Sequence, residues 1–144
     1  MVDAGCSLTV ASALERPRLM APLGIAWLEE PLSQDDLKGY AELCGQSPAP
    51  IAAGEGEATR WGFEDPIERG LHAIQPDVAI CGGLTVARQA SCADGDLVEY
   101  CLRPSPLKRK LVRNLPLESG RVPVPQAPGL GIELDEDVIA EFRV

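Results

Sequence analysis

Over its first ninety residues the chain alternates short apolar runs with longer stretches of mixed character. The runs are Met1-Val2, Ile25-Ala26-Trp27-Leu28, Ile51-Ala52-Ala53 and Ala73-Ile74. They are too short for helices and apolar at consecutive positions, which suits strands buried on both faces of a parallel sheet. An acidic residue follows each run: Asp3, Glu29, Glu55 and, after Gln75-Pro76, Asp77. A turn and a helix-length stretch come next. The acids recur at an interval close to the ~30 residues that one βα unit occupies in an eight-unit barrel. The pattern predicts an α/β fold: a partial (β/α)8 TIM-type barrel of about four βα units around a parallel sheet.

Local signals place the helices. Ser33 with Asp36 three residues on resembles a capping box opening a helix that runs towards Cys44. Asp65-Pro66 suits an N-cap followed by proline at the first helical position. Pro17 falls inside the stretch from Leu8 to Leu23, where an interior proline costs ~3 kcal/mol, and predicts a broken or kinked helix. Beyond Ala90 the pattern stops, and Ser91 to Asp96 reads as neither helix nor strand. The remainder carries Pro104, Pro106, Pro116, Pro123, Pro125 and Pro128, a composition that wraps over a surface better than it builds a core. The expected organisation is residues 1–90 as barrel units, 91–97 as a junction, and 98–144 as a Pro-rich segment packing on the barrel. Four units cannot close an eight-stranded barrel alone, so two strand edges are left open.

Composition narrows the function classes. A net charge of −9 argues against nucleic acid, which needs clustered Lys and Arg. The five cysteines are odd in number, widely spread and without a C-x-x-C pair, which favours free thiols in a reducing compartment over disulfides or zinc. Asp3 and polar neighbours interrupt any secretory leader, and no stretch approaches the ~18 apolar residues of a membrane span. The expectation is a soluble, cytoplasmic protein with no membrane partner.

The acids carry the candidate chemistry. Asp3, Glu29 and Glu55 would end consecutive parallel strands, at the rim where such barrels hold their active sites. Carboxylates converging there repel one another unless a cation joins them, and oxygen-only donors suit Mg²⁺. The competing reading is that acidic residues simply begin solvated loops; three at one period, each ending a strand, favour the metal.

The words around these acids decide it. Met1-Val2-Asp3-Ala4, Trp27-Leu28-Glu29-Glu30-Pro31-Leu32, Ala53-Gly54-Glu55, Gln75-Pro76-Asp77-Val78, Gly82-Gly83-Leu84-Thr85 and the tail Pro128-Gly129-Leu130-Gly131-Ile132-Glu133-Leu134-Asp135 occur in this order. Together they resemble the mandelate racemase and acid-sugar dehydratase branch of the enolase superfamily. The resemblance implies that Asp3, Glu29 and Glu55 are the Mg²⁺ ligands. It implies that Asp77 is the catalytic-site carboxylate that orients a histidine on the next strand. It also implies abstraction of the α-proton of a small sugar-acid carboxylate, leading to dehydration or racemisation, with a homo-oligomer as a common assembly.

The same resemblance exposes gaps. On that resemblance the strand bearing the family's lysines and the strand bearing its histidine are expected to lack a counterpart in these 144 residues, and Gly5 stands where an asparagine is frequent. The sole histidine, His72, opens the strand that Asp77 follows, and ~3.3 Å per residue puts it ~16 Å away at the opposite end. Lys108-Arg109-Lys110 lies in the Pro-rich segment and reads as a solvated basic patch. Gly82-Gly83 reads as a plain βα turn or as an anion cradle. Glu57, Arg60 and Trp61 follow Glu55, and Arg60 is the candidate substrate-binding cation because it can pair with a carboxylate. Trp27 reads as core. Two functions from different classes follow: a magnesium-dependent lyase or isomerase whose shortened chain is impaired, or a non-catalytic metal-binding or oligomer-forming remnant of one.

Overall fold

The computed structural model describes residues 1–94, 97, 99–100, 110–112 and 117–143. It comprises two compact units, Met1–Glu99 and Tyr100–Val144.

In the first unit, elements alternate as the apolar runs predict: β1 (Val2–Asp3), α1 (Val10–Met20), a 3-10 turn (Ala21–Leu23), β2 (Leu28–Glu29), α2 (Leu37–Gln46), β3 (Ile51–Ala53), α3 (Thr59–Glu68), β4 (Ala73–Ile74) and α4 (Leu84–Asp94). All neighbouring strands pair in parallel, in the order β1-β2-β3-β4. These are four successive βα units of a barrel-type sheet, with β1 and β4 at its edges. The chief core cluster joins Leu28, Ile51 and Ala53 of the strands to Ala13 of α1 and to Tyr40 and Leu43 of α2. Leu28, Leu43 and Ile51 are wholly buried. A second cluster packs Ile74 against Phe63 of α3 and Ala87 and Ala90 of α4.

Four local expectations are corrected. α1 runs through Pro17 to Met20; the proline stands in the last half of the helix, and its fully buried ring adds packing where a hydrogen bond is lost. At the start of that helix Thr9 and Ser12 form a reciprocal capping box, with Thr9 Oγ1 accepting from Ser12 N–H and Ser12 Oγ from Thr9 N–H. α2 is capped by Asp36, whose carboxylate accepts the Gly39 amide at 3.0 Å, while Ser33 contributes only its carbonyl, to Asp36 N–H. α3 begins at Thr59, so Asp65-Pro66 lies within it; Thr59 N–H donates to the Cys81 carbonyl at 3.0 Å, a tertiary bond in place of a side-chain cap. There Asp65 is paired with Arg69 one turn on, with Arg69 Nη2 donating at 2.8 Å. α4 continues through Ser91 to Asp94, since nothing before Gly95 opposes a helix.

In the second unit Val112 and Leu134 form an antiparallel bridge, and Glu118 and Arg121 close a tight turn. It ends in α5 (Glu136–Glu141), capped by Asp135, which accepts the Asp137 and Val138 amides. That helix follows the last proline of the segment, at Pro128, and the segment's proline content does not anticipate it. Lys110 is exposed, and Lys108 and Arg109 lie outside the described residues. Among the described residues no helix is long and apolar enough to cross a membrane.

Candidate metal centre

Parallel pairing puts the carboxyl ends of all four strands on one rim. Asp3 ends β1 and lies in register beside Glu29, which ends β2. Glu29 in turn lies beside Ala52, so Glu55, reached through the turn at Gly54, stands further out beyond β3. Gly54 needs its φ of +114°, and a Cβ there would press on Ile74 Cγ2 at 3.3 Å. Loop backbone reinforces the rim: Ala4 N–H donates to Glu29 O, Cys6 N–H to Glu30 O and Leu8 N–H to Pro31 O.

The two glutamates of the Glu29-Glu30 pair behave differently. Glu29 lies on the sheet face opposite Leu28, with Trp27, whose indole N–H donates to Glu29 Oε2 at 3.0 Å. Glu30 adopts φ +39°, a left-handed conformation uncommon for a residue with a side chain. It is buried, at 8% exposure. Burial first, then the negative charges of Glu55 and Asp3, push its carboxyl from the ordinary 4.5 to about 6. Cys6, also left-handed at φ +56°, donates its thiol to Glu30 Oε2 at 3.7 Å. Partial burial and Glu30 together push that thiol up. Glu30 thus feels both Asp3 and Glu55, and Glu29 accepts a hydrogen bond from Trp27. Sequence spacing gave no sign of this, because the left-handed turn at Glu30 breaks strand alternation.

Among the described residues, no three His, Cys, Asp or Glu side chains stand close enough together, as placed, to hold a metal ion. The backbone positions of Asp3, Glu29 and Glu55 share the rim; their carboxyl groups do not converge. In donor chemistry the set nonetheless fits a hard divalent cation. It offers only carboxylate oxygens, Asp3 and Glu55 are exposed, and the like-charge repulsion registered at Glu30 is what a cation at this rim would relieve.

The remaining candidates lie around this rim and beyond it. Asp77 is exposed and caps its own turn, its Oδ1 accepting the Ala79 amide at 2.7 Å while its carbonyl accepts from Ile80 and Cys81. The only histidine of the chain, His72, precedes β4 at the other end, where its Nδ1 accepts the Ile51 amide at 3.2 Å. Arg60 stacks over the Trp61 ring, 3.7 Å from its centroid, and borders a groove of ≈ 290 Å³ with Phe63, Glu64, Ile67, Gln89 and Ala90. Glu57 is half-buried, and burial with Asp35 and Asp65 pushes its carboxyl up. Gly82 and Gly83 both take positive φ, +102° and +104°, as the turn into α4 requires. Trp27 is half-buried and belongs to neither hydrophobic cluster, which corrects its reading as core. Gln75, at the rim end of β4, was not singled out by sequence reasoning; its Oε1 is buried without a partner among the described residues.

Four parallel βα units, with acidic residues at three successive strand ends, are the architecture of part of a (β/α)8-type barrel. Residues 1–102 match the family model described as Enolase C-terminal domain-like, and the chain belongs to that family, within the enolase superfamily. It is 29% identical to the D-galactarolactone cycloisomerase of Agrobacterium fabrum, in a match covering 100% of this chain and 49% of that protein. It is 30% identical to the 3,6-anhydro-alpha-L-galactonate cycloisomerase of Streptomyces coelicolor, covering 100% of this chain and 46% of the relative. A racemase from Streptomyces coelicolor, solved with bound magnesium, superposes with a TM-score of 0.73 at 29% identity, covering 100% of this chain and 46% of its own. The chain thus spans about half the length of the curated relatives it matches.

Proposed function

We propose that this chain carries the cation-binding rim of an enolase-superfamily active site, one that abstracts the α-proton of a sugar-acid carboxylate. The observation carrying this reading is that Asp3, Glu29 and Glu55 follow three successive parallel strands on a single rim. In this reading the three carboxylates hold Mg²⁺. When bound, the ion supplies a Lewis acid that steadies the substrate carboxylate and the negative charge left by the departing proton. The chain's own contribution is to bring the anionic donors to one rim and to fix Glu29 through Trp27. Arg60, in the first turn after the third ligand, is the proposed partner of the substrate's anionic group once it leaves the Trp61 ring. The relatives' names supply the substrate class, lactones and anhydro forms of sugar acids, and favour an isomerase outcome over a dehydratase one.

Proton transfer needs a base within ~3 Å of the proton it moves. Asp77 is the proposed orienting carboxylate, yet the one histidine it could orient is bonded to Ile51 at the far end of the sheet. The alignment with the Agrobacterium protein extends over 184 residues against the 144 of this chain, which supports the reading that part of the relatives' barrel has no counterpart here. This favours a second reading, a metal-binding protein without turnover, completed by association through the edges of β1 and β4. Calorimetric titration with Mg²⁺, followed by a panel of sugar acids and their lactones, tests both. Binding abolished by Glu55→Gln, with Glu55-dependent turnover, supports the enzyme. Binding without turnover supports the second reading, and no binding at millimolar Mg²⁺ refutes the site.

A further inference from the structure

We infer that Trp27 is a positioning residue for the metal centre: its indole N–H grips one oxygen of Glu29 and presents the other to the cation. The inference rests on the proposed ligand set and adds to it a residue outside that set.

Three observations carry it. Trp27 and Glu29 lie two positions apart along β2 and its lead-in, so both project from the sheet face opposite the wholly buried Leu28. The indole Nε1 donates to Glu29 Oε2 at 3.0 Å, which leaves Oε1 available to a cation. The ring is half-buried and packs in neither hydrophobic cluster, so core filling does not account for it. The half-buried indole N–H finds an acceptor, and that acceptor is a proposed ligand. Partners that orient metal ligands typically govern 10–100-fold in metal affinity. Such a hold matters for a long glutamate side chain, because rotation about its torsions would swing the carboxylate off the rim.

Trp27→Phe keeps an aromatic ring and removes the donor. Mn²⁺ binding, read by loss of the free-ion paramagnetic resonance signal, is the probe, with far-UV circular dichroism and thermal melting to verify the fold. The expected result is about tenfold weaker Mn²⁺ binding with unchanged ellipticity, and loss of binding in Glu29→Gln. Equal affinity for Trp27→Phe and the parent chain overturns the inference while leaving the ligand set standing. Absence of binding by the parent chain overturns both. Should Trp27→Phe fail to fold, Trp61→Phe leaves Trp27 as the sole indole. Its emission must then change with the same midpoint as Mn²⁺ or Mg²⁺ binding, and a flat emission at saturation refutes the inference.

Discussion

Replacing Glu30 with glutamine should stabilise the metal-free chain at neutral pH and leave it unchanged in acid. Glu30 is 8% exposed, and its carboxyl is raised from 4.5 to about 6 by burial and by Glu55 and Asp3. For an acid the sign is a penalty on the charged form. Below 4.5 the carboxyl is protonated in both states and costs nothing. Between 4.5 and 6 the unfolded chain ionises first, so folding loses stability as pH rises. Above 6 the whole penalty is present. One pH unit is worth about 1.4 kcal/mol, so the ceiling is about 2 kcal/mol, and water at the rim brings it towards 1. Urea denaturation followed by circular dichroism, in EDTA from pH 4 to 8, measures this as a difference between variant and parent. Taking the difference cancels groups of opposite sign, such as Asp65, which Arg69 holds below its usual range. The variant should gain about 1–2 kcal/mol at pH 8 and nothing at pH 4, and the Cys6 thiol keeps its acceptor in glutamine. A gain independent of pH, or none at pH 8, would refute the electrostatic account of Glu30. Mg²⁺ should shrink the gain, because a cation at this rim supplies the missing countercharge.

Other perturbations test the frame that holds the rim. Leu28→Ala, at a wholly buried position next to Glu29, should cost about 2–5 kcal/mol in urea, whereas Leu19→Ala at 72% exposure should stay within about 0.5. His72→Ala removes the acceptor of the Ile51 amide; the expected loss is about 1 kcal/mol, with faster hydrogen exchange at that amide and no change in metal affinity. Thr9→Ala breaks the capping box of α1 and should lower stability by about 1 kcal/mol in the same urea assay, while Thr9→Ser should keep most of it.

The strands were legible because burial on both faces writes itself as an apolar run. Ile51-Ala52-Ala53 and Ala73-Ile74 were read to the residue, and parallel order followed from the intervening helices. Helix starts were less legible. Asp65-Pro66 has the chemistry of an N-terminus, yet a backbone bond from Thr59 to Cys81, distant in sequence, starts α3 earlier. The rim acids were legible as positions, since each ends a run. Their mutual arrangement was not, because it turns on the left-handed backbone at Glu30 and on the indole bond to Glu29, neither of which leaves a periodic trace. The end-to-end separation of His72 from Asp77 followed from strand rise alone; its service to the Ile51 amide did not.

The lacing of the loop after β1 to the loop after β2, through Ala4, Cys6 and Leu8, makes the first two carboxylate-bearing segments a single stiff bracket. The segment bearing Glu55 is hung differently: its turn closes on itself through Glu57 N–H to Gly54 O, and its next tether, at Thr59, leads towards β4. The rim is therefore tethered asymmetrically: the loops bearing the first two carboxylates are bonded to each other, whereas the turn bearing the third is bonded to itself and to Cys81.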